Sequence, residues 1–522
     1  MKITLKNTSI IIDDYEFGTS TKLEDSFSIW DKINYTKIYK AIEYNEATKQ
    51  LILPRGIDVS FVENCLNLNA KKDNDYDDYE TLDNVKLKYL PRDEVQVEAL
   101  KFMIGKDLYR HTLYKSQLSV NLPTGKGKSY CSIATMAYIG LKSAVITSNI
   151  GWLKQWKDYI LEYTNIKSKD IYFITGSPAI DSLFRKNGSP YKIYLISHST
   201  IRSYAETNGW DKITELFKKL KIGLKFYDES HLRFDNMCKI DFYTNTYKTY
   251  YVSATPARSN PDEDRIYQLY FKNIPSIDLF DENKDPHTNY IAIKYNSHPT
   301  VIEASRCKNR FGLDRNLYIN QIVYNENFYK LLTYLLDLVL KQQGKCLIYI
   351  GTNKAIDIVY DWIINNFPEL YGNVGIYNSL VTGNKELALE NKIILSTTKS
   401  LGAAVDIKDL KTTIVLAEPF SSEVIAKQTL GRTRNDNTFY IEVVDIAYKN
   451  IYLFYNKKKP IFSKYALSCK ELNMNDIMLD NKYKEIMEKR SLPKLYNCIN
   501  IINKPMQVIE EVNEVIPVIK FL

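Results

Sequence analysis

Three short stretches, far apart in the chain, carry residues able to handle a phosphate anhydride: "PTGKGKS" (123–129), "DESH" (228–231) and "QTLGRTR" (428–434). Glycines at 125 and 127 let the backbone curl until its N–H groups, and the start of the following helix, point at an anion. Lys128 is placed to reach the β- and γ-phosphates of ATP, and the Ser129 hydroxyl to ligate Mg²⁺. The strict pattern G-x-x-x-x-G-K-[ST] is missed at its first position, where Leu122 stands. A basic turn is the plainer reading of "GKGKS"; its place between an apolar strand and a helix favours a phosphate loop. In "FYDESH", Asp228 could hold Mg²⁺, directly or through water, and Glu229 could polarise the water that attacks the γ-phosphate. Two such carboxylates are as often a helix cap or a surface pair. Following a phosphate loop in this chain order, they become a catalytic couple. His231 taken alone reads as structural, and "QTLGRTR" as either a solvated turn or half of a nucleotide site.

The elements around these stretches give them positions. Short apolar runs without alternation occur at "QLSVNL" (117–122), "SAVITS" (143–148), "KIYLISH" (192–198), "LKFYDES" (224–230) and "TYYVSAT" (249–255), with helical patterns between them. The same rhythm returns at "KCLIYIGT" (345–352), "KIILSTT" (392–398), "TTIVLAE" (412–418) and "FYIEVVDI" (439–446). Buried strands alternating with helices predict parallel sheets covered on both faces, hence two α/β domains. A less regular stretch, 271–315, reads as their connector. Residues 1–70 alternate like a small strand-rich module, the acidic run "DNDYDDYE" (73–80) like a linker, and 451–522 offers no readable signal. Ligands of open α/β sheets bind beyond the carboxyl ends of the strands, where the three stretches fall.

Bulk properties narrow the class. A length of 522 residues is too much for one core, and 45% apolar with 25% charged residues is ordinary for a globular chain. The net charge of +8 suits a phosphate-backbone partner without requiring one. Seven scattered cysteines, none in a C-x-x-C pair, predict neither a zinc site nor a disulfide framework and favour a reducing compartment. The start turns acidic too early for a secretory signal. The longest apolar run, "LLTYLLDLVL" (331–340), is too short to span a bilayer, so a cytoplasmic protein without membrane partners is expected. A composition heavy in Lys, Asn, Ile and Tyr suits an AT-rich genome such as a phage's.

"PTGKGKS", "DESH", "SATP" (253–256) and "QTLGRTR" stand in the order of motifs I, II, III and VI of superfamily 2 helicases and translocases, and the chain resembles that superfamily over roughly 91–450. The resemblance implies two tandem RecA-like parallel-sheet motor domains, with a small strand-rich N-terminal domain and a short C-terminal extension. The implied boundaries are 1–90 (an accessory, DNA-engaging domain), 91–290, 291–450 and 451–522. It implies ATP held by Pro123, Thr124, Gly125, Lys126, Gly127, Lys128 and Ser129, with Gln96 reading the adenine edge and Arg92 beside it. Val95 occupies a position that is often aromatic in the family. "SNIGWLKQW" (148–156) resembles motif Ia, a backbone contact through Ser148, whose Trp156 reads equally as a core residue. Ser199 and Thr200 resemble the next backbone contact, Thr352 lies in a motif IV-like stretch, and Thr398 matches the phosphate contact of motif V. Ser253 and Thr255 match the residues coupling the ATP site to the nucleic-acid track. Motif V departs from pattern at Ala404, although Gly402 and Asp406 fit. Motif VI keeps Gln428, Gly431 and Arg432 but has Asn435 where an arginine belongs, so either Arg434 or Arg432 is the implied arginine finger.

The "DESH" box, the "QW" and a weak "PRG" segment (54–56) are similar to phage and poxvirus DNA helicases of the UvsW-like and XPB-like group. That resemblance implies an ATP-dependent helicase or translocase acting on duplex or branched DNA, with replication or recombination proteins as partners. An RNA helicase, the motor subunit of a restriction system, and a nucleic-acid-binding protein with little turnover are the alternatives.

Overall fold

The computed structural model describes residues 1–31, 34–72, 79–105, 115–122, 126–186, 188, 190–253, 261–279, 288–310, 312–378, 380–381, 385–401, 407–432 and 437–489. The chain forms two compact units. The first gathers the described residues up to 279 together with 422–432; the second holds those of 288–401, 407–421 and 437–489.

Besides a separate antiparallel pair of strands, Ser28–Asp31 and Thr36–Tyr39, the N-terminal region has β1 (Lys2–Leu5), β2 (Ser9–Asp13), β3 (Glu43–Asn45), β4 (Gln50–Pro54) and β5 (Ala70–Lys72). These five labelled strands form one sheet in the order β3-β4-β2-β1-β5, antiparallel except for the β1–β5 pair. Ile3, Ile10, Ile12, Leu51 and Leu53 are fully buried, in one core with Phe234, Met237 and Tyr270 from further along the first unit. Polar contacts fasten the same surface. The Asn7 side chain donates to the Thr246 carbonyl (3.0 Å), Thr8 Oγ1 to the Thr244 carbonyl (2.5 Å), and the Asn7 backbone N–H to Asn245 Oδ1 (2.9 Å). At Gly56 a Cβ would lie 2.1 Å from the Tyr270 carbonyl, so only glycine permits this approach. The module is thus built onto the α/β core of the first unit.

That core is a seven-stranded, all-parallel sheet of β6 (Gln117–Asn121), β7 (Ser143–Thr147), β8 (Ile171–Ile174), β9 (Ile193–Ser197), β10 (Leu224–Asp228), β11 (Lys248–Ser253) and β12 (Ser276–Asp278). Its order is β8-β9-β7-β10-β11-β6-β12. Every residue of β6, β7, β9, β10 and β11 is buried, which is why those runs lack alternation. Register sets the site: Asp228 lies opposite Val252, and Ser253 opposite Asn121, so three strand ends stop side by side.

A buried polar knot gathers around Lys225 and Tyr227 of β10. Asp241, on helix Phe234–Tyr243, accepts from the Tyr227, Tyr251 and Tyr270 hydroxyls and pairs with Lys225 at 2.6 Å, with neither charged side chain exposed. Burial pushes all three tyrosine hydroxyls well above their ordinary range, so they remain donors.

The second unit repeats the architecture with β13 (Thr288–Tyr295), β14 (Lys345–Ile350), β15 (Val374–Tyr377), β16 (Ile393–Ser396), β17 (Leu410–Ala417), β18 (Thr438–Asp445) and β19 (Ser468–Asn473). The order is β15-β16-β14-β17-β18-β13-β19, again all parallel. Two α/β sheets with a small strand-rich N-terminal module are as the sequence predicts. The stretch 271–315 differs from the irregular connector expected there: it contains β12 and the eight-residue β13, which pairs with β18 along its whole length. The last strand falls in the region without readable signal, tied to β13 by Glu471, which binds Lys294, Lys459 (2.6 Å) and the Tyr455 hydroxyl. Among the described residues, no helix is long and apolar enough to cross a membrane.

Candidate nucleotide and nucleic-acid site

Helix Lys128–Ile139 begins where the chain leaves β6. Gly127 sits in the left-handed region (φ 87°) at its start, and Gly140 (φ 69°) closes it with a bond to the Met136 carbonyl. Gln96 is buried against this turn. Its Oε1 accepts the Arg92 backbone N–H (2.8 Å), and its Nε2 donates to the Lys126 carbonyl (3.4 Å). A Cβ at residue 127 would meet Gln96 Nε2 at 2.3 Å, so both the turn and the glutamine require glycine. The Arg92 guanidinium lies by Asp93 at 3.3 Å and is largely exposed. Ser129 sits half-buried in the helix's first turn.

The Lys128 ammonium binds Glu229 Oε1 at 2.8 Å, joining the first two motifs directly. Glu229 has a left-handed backbone (φ 49°), a conformation costing of order 1–3 kcal/mol for such a residue. Burial would raise its carboxyl pKa; Lys128, His231 and Arg432 outweigh that, and the group is held below its ordinary value. Asp228 goes the other way: burial, then repulsion from Glu229, pushes it up. The two adjacent carboxylates are thus driven in opposite directions by their surroundings. The Trp156 indole N–H donates to Asp228 Oδ2 at 2.8 Å.

His231 ties in two further motifs. Its Nδ1 lies 2.8 Å from Ser253 Oγ, and its Nε2 lies 2.7 Å from the Gln428 amide nitrogen. With that amide donating, the ring proton belongs on Nδ1 and goes to Ser253. A histidine that read as structural in isolation is the joint of the site. Arg432, buried nearby, supplies positive charge felt by Glu229. Lys128, Asp228, Glu229, Ser253, Gln428 and Arg432 therefore converge. Pro123, Thr124, Gly125, Thr255 and Arg434, with Gly402, Ala404, Asp406 and Asn435, lie outside the described residues.

The five residues expected at a nucleic-acid backbone all follow strand ends. Ser148 is half-buried after β7, and Ser199 is exposed after β9 with its hydroxyl 3.0 Å from Ser197 Oγ. Thr200 is buried, its hydroxyl 2.8 Å from Ser197 Oγ and accepting the Gly176 N–H. In the second unit, Thr352 caps helix Asn353–Asn366 and donates to Asn320 Oδ1 (2.9 Å). Thr398 donates both its N–H and its hydroxyl to Glu418. Four of the five hydroxyls are thus engaged internally, Ser199 among them although it is exposed. Glu418 was not singled out from the sequence, where "AEP" resembles any strand end.

Mg²⁺ takes few protein ligands and completes its shell with water and phosphate oxygens. A carboxylate, Asp228, buried at the end of β10, and a hydroxyl, Ser129, half-buried in the first turn of its helix, are donors that suit such an ion, whereas no group of three or more His, Cys, Asp or Glu able to hold a metal occurs among the described residues.

Residues 90–258 match the family model described as type III restriction enzyme, res subunit. The Rad25 protein of Haloarcula marismortui, which carries the name of a DNA 3'-5' helicase, is 26% identical over 147 residues, 28% of this chain and 21% of its own length. The DNA 3'-5' helicase XPB of Mycobacterium tuberculosis is 32% identical over 113 residues, 22% of this chain and 19% of its own. The match thus spans about a fifth of each curated relative. The S. cerevisiae Dbp5 structure, bound to RNA and ADP BeF3, superposes with a TM-score of 0.52 at 15% identity, covering 76% of this chain and 93% of that one. This last likeness is one of fold, tandem RecA-like domains.

Proposed function

We propose that this chain, which resembles the superfamily 2 helicases of the XPB-like and UvsW-like kind, is an ATP-hydrolysing motor acting on duplex or branched DNA. The observation that carries the reading is the run of contacts Lys128–Glu229 (2.8 Å), Glu229–His231 (3.5 Å) and His231–Gln428 (2.7 Å), which links the phosphate loop, the carboxylate pair and the "QTLGRTR" stretch.

Each residue has a task that follows from its surroundings. Gly127 and the helix N-terminus present backbone N–H groups to phosphate, and Lys128 exchanges Glu229 for phosphate oxygens when ATP enters. Glu229, held ionised, then orients and polarises the attacking water. Asp228 and Ser129 would hold Mg²⁺, which supplies charge neutralisation at the phosphates. Arg432 brings a guanidinium toward the charge that develops in phosphoryl transfer, with Arg434 as the other candidate. His231 carries any change at Glu229 to Ser253 and Gln428. Ser148, and the exposed Ser199 on exchanging its contact with Ser197, would make the backbone contact, which carries little base information, so weak sequence preference follows.

The test is phosphate release by the full chain, alone and with single-stranded DNA, forked DNA, four-way junctions or RNA. Stimulation by forked or branched DNA, abolished in Lys128→Ala and in Glu229→Gln, supports the reading. Stimulation by RNA alone would transfer the motor to RNA. Equal rates with and without nucleic acid, unchanged in both variants, would sink it.

A further inference from the structure

Helix Ile150–Tyr163 carries two buried tryptophans one turn apart, Trp152 and Trp156, at 4% and 3% exposure. An indole N–H can only donate. Trp152 Nε1 is buried with no partner among the described residues. Trp156 Nε1 donates to Asp228 Oδ2 at 2.8 Å across 72 residues. The two side chains share a helix and a degree of burial, and they differ in that only the second meets a carboxylate among the described residues. A carboxylate with one oxygen on a buried, rigid donor cannot turn about its Cβ–Cγ bond without breaking that contact. The donor also favours the ionised form, opposing burial and Glu229.

We infer that Trp156 is a positioning residue for metal binding: its N–H fixes the Asp228 carboxylate in the orientation from which it ligates Mg²⁺. This rests on the assignment of Asp228 as a metal ligand, made above. Partners that orient a metal ligand typically account for about 10–100-fold in metal affinity. Trp156→Phe keeps most of the ring volume and removes the donor; Trp152→Phe removes an N–H that has no partner among the described residues.

The experiment measures Mn²⁺ binding in the presence of ADP, from the free-Mn²⁺ electron paramagnetic resonance signal, in the full-length protein. Trp156→Phe is expected to weaken Mn²⁺ binding by about 10–100-fold, with ADP affinity in chelator unchanged. Trp152→Phe is expected to match wild type, and Trp156→His, which keeps a ring N–H, to recover part of the loss. Wild-type affinity in Trp156→Phe, or an equal loss in Trp152→Phe, would overturn the inference. Asp228→Asn is the separate control: if it binds Mn²⁺ as wild type does, the ligand assignment itself falls. Should Trp156→Phe not fold, the wild type decides. With 5-fluorotryptophan incorporated, the Trp156 ¹⁹F resonance should shift when Mg²⁺ joins the ADP complex while that of Trp152 stays, and a still Trp156 signal refutes the role.

Discussion

Asp241→Asn should loosen the first unit by about 3–5 kcal/mol, although the two side chains have the same shape. Asp241 and Lys225 are both fully buried at 2.6 Å. At an effective dielectric near 20, that separation is worth about 6 kcal/mol of attraction. Asparagine removes the attraction and leaves a buried ammonium whose charge is no longer balanced by Asp241, although it still donates to the Thr244 hydroxyl (2.5 Å). It also turns one acceptor into a donor where the Tyr227, Tyr251 and Tyr270 hydroxyls already donate. Native-state amide exchange of peptides covering β10 and helix Phe234–Tyr243 reads the effect locally. Exchange should accelerate by roughly a hundred- to several-thousand-fold, at 1.4 kcal/mol per factor of ten. The double variant Lys225→Met with Asp241→Asn removes the stranded charge and should regain at least half. Acceleration below about fivefold, or a double variant no better than the single one, would refute the account.

Gly127→Ala should weaken ATP binding by at least tenfold, because its Cβ would lie 2.3 Å from Gln96 Nε2 at a φ unfavourable to alanine; fluorescent-nucleotide titration checks it. His198→Phe should leave the thermal midpoint unchanged or raise it. Burial pushes that imidazole down to about 3, neither ring nitrogen has a partner among the described residues, and the ring stacks on Tyr227. Glu471→Gln should weaken β19, by less than about 1 kcal/mol because the group is partly exposed. Hydrogen bonds from Lys294, Lys459 and Tyr455 hold its carboxyl down at about 2. A depressed carboxyl stabilises the fold above the ordinary carboxylate range and loses that contribution as pH falls through the folded value. Proteolysis within 468–473 should thus separate variant from wild type at pH 7 and not near pH 2.

What the sequence revealed depended on burial. The nine legible strands lie within the sheets; the edge strands β8, β12, β15 and β19 all escaped, as did β13 beside an edge. An edge strand is paired on one side only and need not be apolar throughout: β19, "SCKELN", is almost wholly exposed, and β13, "TNYIAIKY", mixes polar with apolar positions. At the candidate site, the meeting of Lys128 with Glu229, next to Asp228, was legible because the spacing that phosphate chemistry asks for sets them at neighbouring strand ends. His231 and Trp156 were not. Their roles arise from strand register and a helix rotation that bring residues 22, 72 and 197 positions apart into contact. Nor did "LILPRG" announce that Gly56 would meet the Tyr270 carbonyl.

The N-terminal module leans on Thr244, Asn245 and Thr246, 236 to 239 residues further along the chain. A ribosome adding about 5–20 residues per second needs roughly 12–48 s to cover that distance. Through that interval the isoleucine-rich sheet has been made and its support has not, so the newborn chain carries an uncovered apolar face. A nascent chain halted near residue 230 would therefore recruit chaperones at its N-terminus, and one halted well beyond residue 290 would have hidden the surface they bind.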